Sequence, residues 1–176
     1  MRQQSLKTKW MMLTTTITFI IFALFSMFII YFISLYLKDQ ETSTATRSAY
    51  DTVNLLKSKT LGQITSTDIN ATITDTQKLV LFDKFGKPIF EETHNNNLEY
   101  TPKFERVNQL KIFETSQNNK SYIVVYTPVN TSYFSGYEAV IHPMDNYDAI
   151  IKFMIILATV FGLTALFLIA IISYIF

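Results

Sequence analysis

Residues able to catalyse a reaction or bind a metal are few and widely spaced in this chain of 176 residues. The only two histidines, His94 and His142, lie far apart in the sequence. The chain has no cysteine, which excludes disulfide bonds, zinc–thiolate sites and cysteine nucleophiles. It also has no glycine-rich phosphate loop and no H-E-x-x-H metal motif. We therefore predict no catalytic residue, no metal ligand and no cofactor-binding residue in this segment.

Both histidines are interpreted as ordinary polar residues. A pH-sensing role stays open for either one, because histidine titrates near neutrality. Asp145 and Asp148 follow Pro143, which ends a predicted strand. Their carboxylates can attract a cation at a membrane surface, but capping a helix N-terminus explains them more simply.

Two uncharged stretches predict membrane-spanning helices. Residues 153–176 contain no charge and no proline, and at roughly 1.5 Å per residue they can cross a bilayer core of about 30 Å. Residues 17–37 are also uncharged, with Trp10 and Tyr36 near the two ends, where aromatic side chains favour the membrane interface. A cleaved signal peptide is the alternative for the first stretch, but no small-residue cleavage site directly follows it.

These stretches divide the chain into a basic N-terminus (1–11), a first crossing (12–37), a middle domain (38–149) and a second crossing (150–176). Basic flanks stay in the cytoplasm, so Arg2, Lys7 and Lys9 predict cytoplasmic termini and an extracellular middle domain. All 14 acidic residues lie in that domain and outnumber its basic residues. This balance argues against binding to nucleic acid.

The middle domain is predicted to begin with a helix over residues 39–59, which meets no glycine or proline before Gly62. Ala45, Ala49, Val53 and Leu56 form an apolar stripe along one face of this helix. The stripe can pack against the domain's own sheet or form a dimer seam, and both interpretations stay open.

An antiparallel sheet of about five strands is predicted after this helix. Residues 83–86 and 118–120 are the predicted turns, because Asp, Asn and Gly tolerate turn conformations. Pro128 is predicted to end the fourth strand. The predicted strands cover residues 78–83, 88–91, 109–115, 121–127 and 136–142. The fold class is therefore an α/β membrane protein with two transmembrane helices flanking this domain.

The last strand leads almost directly into the second crossing. Only residues 142–145 are available to absorb a movement of the sheet before the helix begins. We therefore predict that His142, Pro143, Asp145 and Asp148 transmit a signal to the second crossing. In that crossing, the small residues Ala158, Gly162 and Ala165 predict close helix packing, either within the chain or with a second subunit.

The order of these segments resembles the sensor half of bacterial two-component histidine kinases. The turn at residues 83–87 is similar to a hairpin of extracytoplasmic PAS-like domains of the PDC or sCache type. More specifically, the chain resembles the ArlS sensor kinases of Gram-positive cocci. The residues that carry this resemblance are Trp10, Thr14, Thr15, 17–19, 37–39, Gly136, Tyr137, Ile141, His142, 146–148, Ile151, Lys152 and 172–176.

The resemblance implies signal sensing and transmission in this segment, with catalysis in a kinase region that lies outside it. The implied parent is a histidine protein kinase that uses ATP and Mg²⁺, autophosphorylates on histidine and phosphorylates a response regulator similar to ArlR. It also implies a homodimer embedded in the lipid of the cell membrane. Two alternatives stay open: a complete two-crossing membrane protein that binds partners in an envelope complex, and the sensor half of a chemoreceptor or a cyclase.

Overall fold

The computed structural model describes residues 6–93, 98 and 100–175. His94 and much of the loop predicted around it lie outside these residues. The chain forms two compact units, of which one is Leu37–Asp148 and the other combines Met1–Tyr36 with Ala149–Phe176. The two long apolar helices and the five-stranded antiparallel sheet predicted from the sequence are both present.

The first helix, α1, runs without interruption over Leu6–Ser58. The absence of glycine and proline before Gly62 allows this length, since nothing removes a backbone hydrogen bond along the way. A 3-10 turn, Leu61–Gln63, and a short helix α2, Ser66–Asn70, follow. Thr65 caps α2 by accepting a hydrogen bond from the Asp68 amide, and the Asp68 carboxylate accepts one from the Thr65 amide in return.

The strands are β1 (Lys78–Asp83), β2 (Pro88–Thr93), β3 (Lys111–Gln117), β4 (Lys120–Asn130) and β5 (Ser135–Pro143). They form one sheet with the order β2-β1-β5-β4-β3, and every neighbouring pair is antiparallel. The strand β5 is therefore central, and it pairs with β1 on one side and with β4 on the other. Its direct successor in the chain is the last helix, α3, Asp145–Ile175.

The prediction that Pro128 ends the fourth strand is wrong. Pro128 lies inside β4, opposite Tyr137 of β5. The last pair between β3 and β4 joins Lys111 to Tyr126, so this part of β4 lies beyond the end of its β3 partner. A proline is tolerated there because its missing N–H removes no hydrogen bond to a neighbouring strand on that side.

Both tight turns use the backbone conformations that their residues favour. Asn118 and Asn119 have φ of 52° and 62° and form the two-residue loop between β3 and β4. In the β1–β2 turn, the Asp83 side chain accepts hydrogen bonds from the amides of Phe85 and Lys87 at 2.8 and 2.9 Å. Gly86 has a φ of 89°, and a Cβ there would lie 2.5 Å from the Phe104 ring.

Both faces of the sheet are covered, which explains why β1, β4 and β5 are apolar along most of their length. The inner face packs against α1, and the outer face is covered by the segment that precedes β3. The inner core contains Ala45, Ala49, Leu56, Leu79, Leu81, Ile123, Val125 and Val140. The outer core contains Val80, Phe82, Leu98, Val107, Tyr122, Val124, Tyr126, Ala139 and Ile141.

Candidate functional site

The link between the central strand β5 and helix α3 consists of one residue, Met144. Its amide donates a hydrogen bond to the Ser121 carbonyl on β4 at 2.9 Å, and its carbonyl accepts one from the Asp148 amide at 2.9 Å. Its side chain is 4% exposed and belongs to the inner core. The link is therefore short and held at both ends, so it has little freedom to absorb a displacement of β5.

The two acidic residues of the α3 first turn have different surroundings. Asp145 is exposed, whereas Asp148 accepts a hydrogen bond from the Ser121 hydroxyl at 3.3 Å. A carboxylate near a helix N-terminus is favourable because the free amides carry partial positive charge. Asp148 therefore connects α3 to β4. Asp145 lies at the first position of the helix, where its charge is favourable.

Buried His142 joins three parts of the domain. Its Nδ1 lies 3.0 Å from Nε2 of Gln77, in the loop before β1, and its Nε2 lies 2.6 Å from a carboxylate oxygen of Glu41 on α1. We call Glu41, Gln77 and His142 the clasp. The sequence placed His142 at the end of β5, and the structure shows that it also bonds to the N-terminal helix of the domain.

The hydrogen bonds of the clasp assign the proton on the His142 ring. The Gln77 carbonyl oxygen accepts a hydrogen bond from the Thr74 amide at 2.9 Å, which leaves its NH₂ group facing Nδ1 of His142. An amide NH₂ only donates, so Nδ1 accepts and the ring proton lies on Nε2, directed at Glu41.

An ion pair also joins α1 to the edge strand β3. The Lys38 ammonium lies 2.8 Å from the Glu114 carboxylate on β3. A cavity of about 290 Å³ adjoins this ion pair and is also lined by Ser121, Met144 and Tyr147. Residues that follow the first crossing and residues that begin α3 therefore meet at one end of the domain.

The apolar stripe of α1 faces the chain's own sheet. Ala45, Ala49 and Leu56 are fully buried in the inner core, and Val53 packs against it from a partly buried position. Because small side chains occupy two of these positions, the helix backbone can approach the sheet closely. The stripe itself is therefore unavailable to a second subunit in this arrangement.

In the other unit, two of the three small residues predicted for helix packing line a groove. The groove lies between α1 and α3 and has a volume of about 360 Å³; Ala158 and Gly162 line it together with Ala23 and Ser26. A Cβ added at Gly162 would meet nothing within 4 Å. Ala165 is partly buried and does not line this groove.

Glu138 is a buried carboxylic acid that the sequence analysis missed. It lies on β5, is 0% exposed, and neither carboxyl oxygen has a hydrogen-bond partner among the residues that the structure describes. Burial raises the pKa of this carboxyl well above its ordinary value. The nearby Thr52 hydroxyl lowers the pKa of Glu138 to a smaller extent. Thr52 donates its proton to the Ser48 carbonyl at 3.0 Å, so it does not satisfy the Glu138 carboxyl.

In the part of the chain that the structure describes, no group of three metal-ligating side chains comes together. The geometry around β5 and α3 instead provides mechanical connections: a one-residue link, the clasp and the Lys38–Glu114 ion pair. Glu41 and Gln77 could not be found from sequence spacing, because Glu41 lies 101 positions from His142 and Gln77 lies 65 positions away.

Comparison with known proteins gives a consistent result. A family model described as the ArlS sensor domain matches residues 33–153. The signal transduction histidine-protein kinase ArlS of Staphylococcus epidermidis strain RP62A is 35% identical over 99% of this chain and 38% of its own length. The protein of the same name from Staphylococcus aureus strain USA300 is 32% identical over 100% of this chain and 39% of its own length. The chain thus spans less than half the length of these curated relatives, and no solved structure matches it.

Proposed function

The chain belongs to the ArlS sensor-domain family, and from this premise we propose that it senses a signal outside the cell and transmits it across the membrane for a two-component histidine kinase. Two helices are long and apolar enough to cross a membrane, and the domain between them has its own core. The observation that carries the transmission step is the link of one residue between β5 and α3.

The proposal assigns the catalytic steps to a region beyond this segment. The relatives are named histidine-protein kinases. We propose, from the family resemblance, that the whole protein would autophosphorylate on histidine, using ATP and Mg²⁺, and would pass the phosphoryl group to a response regulator similar to ArlR. His142 is assigned a structural part, since both of its ring nitrogens face partners in the buried clasp.

The proposed orientation puts both termini in the cytoplasm and the sheet domain outside. It rests on the basic residues Arg2, Lys7 and Lys9, which precede the first crossing without an acidic residue among them. We also propose that the domain is of the PAS-like PDC or sCache type. A long helix packed on one face of a five-stranded antiparallel sheet supports this assignment.

We propose that the working unit is a homodimer that pairs through α1. The stripe of α1 is buried against the sheet, so the pairing surface would be the opposite face, where Arg47, Tyr50 and Asn54 are exposed. Gly162 and its neighbours would allow a second contact in the membrane.

The proposed mechanism uses the short connections at the end of the domain. A stimulus favours one of two arrangements of the sheet through its higher affinity for that arrangement. The shift of β5 reaches α3 through Met144, while the clasp holds β5 to α1. Because α3 continues from Asp145 to Ile175, a slide, tilt or rotation at its start is carried along one helix.

A chimera tests the transmission step. Residues 1–176 replace the matching segment of the S. aureus relative, and autophosphorylation is measured in membrane vesicles under activating and non-activating conditions. Met144→Pro removes the hydrogen bond to Ser121 and should abolish the difference between the two conditions. Met144→Leu keeps that bond and the buried side-chain volume, and should preserve the difference. A normal response in a correctly inserted Met144→Pro chimera would contradict the mechanism.

A further inference from the structure

A cavity of about 710 Å³ lies on the outer face of the sheet. Its floor is Val124 and Tyr126 of β4 with Phe113 of β3, and the segment at residues 100–105 forms the opposite wall. Pockets of roughly 300–1,000 Å³ are the usual size for small-molecule sites. The cavity is separate from the clasp and from the β5–α3 link, which lie on the inner face and at the end of β5.

Several contacts hold the wall of this cavity in place. The Tyr126 hydroxyl donates a hydrogen bond to the Lys103 carbonyl at 2.6 Å. Tyr100 stacks on Tyr122 with ring centroids 5.1 Å apart, and Phe104 packs against Phe82 at 5.7 Å. The two aromatic contacts and the Tyr126 hydrogen bond therefore hold residues 100–105 over the sheet. The cavity between this segment and the sheet is thus defined by tertiary contacts.

The charged groups at the cavity are largely neutralised by partners in the protein. Glu105 forms an ion pair with Lys111 at 3.0 Å. Glu114 contributes only its backbone, because its carboxylate lies on the inner face and pairs with Lys38 at 2.8 Å. The Lys111 ammonium also lies 4.3 Å from the centroid of the Phe113 ring, so that ring face already carries a cation. Lys103 also lines the cavity; its side chain is exposed and forms no ion pair with another residue that the structure describes. The lining therefore carries one unpaired charge at an exposed position and no cluster of like charges that would select a strongly charged ligand.

Neutral polar groups, by contrast, remain available. The side chains of Thr101, Thr115 and Gln117 line the cavity, and none makes a hydrogen bond to another residue within the described ranges. These hydroxyl and amide groups can both donate and accept hydrogen bonds. Beside them lie the aromatic rings of Tyr100 and Phe104, both of which are partly exposed.

We infer that this cavity binds a neutral, hydroxyl-rich ligand of the saccharide class. A sugar presents apolar C–H faces that pack on aromatic rings and hydroxyls that pair with threonine and glutamine, and it needs no counter-charge. This inference names a ligand class for the proposed sensing function, and its role as a signal rests on that function. Ligand binding is measured separately from signalling, so the binding inference and the proposed sensing function can each be contradicted without the other.

The test is saturation-transfer NMR on the full chain in lipid nanodiscs, which detects bound ligand directly. The neutral probes are glucose, maltotriose and triacetylchitotriose, and the charged controls are choline and glucuronate. At least one neutral probe should show transfer with both charged probes silent. Absence of transfer from all three neutral probes, or equal transfer from a charged probe, overturns the inference.

A pair of matched variants tests whether the probe binds in this cavity. Thr115→Trp fills the cavity from a half-buried position on the outer face of β3, and should weaken probe binding at least tenfold. Ile112→Trp introduces the same ring on the opposite face of the same strand, where Ile112 is 41% exposed, and should leave binding unchanged. If Thr115→Trp does not fold, judged by circular dichroism, Thr115→Val removes the hydroxyl alone and should weaken binding severalfold. Unchanged binding in the folded Thr115 variant would overturn the assignment to this site.

Discussion

Glu138 is the residue whose surroundings conflict most with its chemistry. A carboxylic acid that is 0% exposed, and that has no hydrogen-bond partner within the described chain, is far more stable protonated than ionised. Its cross-strand neighbours are Leu81 and Thr127, so neither adjoining strand provides a charge to pair with it. The elevated pKa follows from this burial.

The stability of the domain should therefore fall as the pH rises. Unfolded glutamate has a pKa of about 4.3, and the pKa of folded Glu138 is higher. Below the unfolded value both states are protonated; above it the unfolded state releases a proton that the folded state retains. Folding then loses about 1.4 kcal/mol per pH unit until the folded pKa is reached.

Urea unfolding in nanodiscs, followed by near-ultraviolet circular dichroism between pH 4 and pH 8, measures this slope. Glu138→Gln cannot ionise and should reduce the loss of stability with rising pH. Asp75→Asn, in the loop before β1, serves as a control carboxylate, because Asp75 is exposed and forms no ion pair among the described residues. An identical slope in the wild type and in Glu138→Gln would show that Glu138 is not the group responsible.

The clasp makes a second prediction at the scale of single residues. His142→Phe retains a ring of similar size but removes both hydrogen bonds, leaving Gln77 and Glu41 without this partner. Leaving buried polar groups unsatisfied costs roughly 1–3 kcal/mol each, and the partly exposed Glu41 side chain should contribute less. We expect a loss of about 2 kcal/mol in the free energy of unfolding. Glu41→Gln still accepts the His142 proton and should cost less; an equal or larger loss in that variant would contradict the assigned tautomer.

At the scale of elements, the sequence predicted what depends on local patterns. Short apolar runs and the turns at Asp83–Gly86 and Asn118–Asn119 indicated five strands. The first crossing and the helix over residues 39–59 were predicted as neighbouring segments, and the structure joins them in one helix. The continuation of β4 through Pro128 depends on where β3 ends, which is a fact about a neighbouring strand. The clasp and the outer cavity bring together residues distant in sequence, and only the folded sheet shows them.

The packing of α1 on the sheet gives a prediction at this scale. Ala49 is 0% exposed, so Ala49→Leu would force additional atoms between the helix and the inner core. Overpacking of this kind typically costs about 1–3 kcal/mol. Asn54→Leu adds a leucine on the exposed side of the same helix and should change the unfolding free energy by less than about 0.5 kcal/mol. Urea unfolding of both variants checks this, and equal effects would mean that Ala49 does not pack as described.

At the scale of the whole molecule, the long helix α1 has two faces with different uses. One face packs against the chain's own sheet, and the buried residues on it are Ala45, Ser48, Ala49, Thr52 and Leu56. The other face carries Arg47, Tyr50 and Asn54 in exposed positions. Only this second face is open to a second copy of the chain, so a dimer through α1 requires a specific pattern of accessible positions.

The cysteine-free sequence allows that pattern to be mapped directly. Single cysteines at Arg47, Tyr50 and Asn54 should form disulfide-linked dimers on mild oxidation in native membranes, because these positions lie three or four residues apart on one helical face. Cysteines at Ala45 and Ala49 are buried against the chain's own sheet and should not cross-link. Non-reducing gel electrophoresis measures the linked fraction. Cross-linking at all five positions would indicate an open domain, and cross-linking at none would move the dimer contact away from α1. The predicted alternation is expected only if the sheet and the second subunit occupy opposite sides of the same helix.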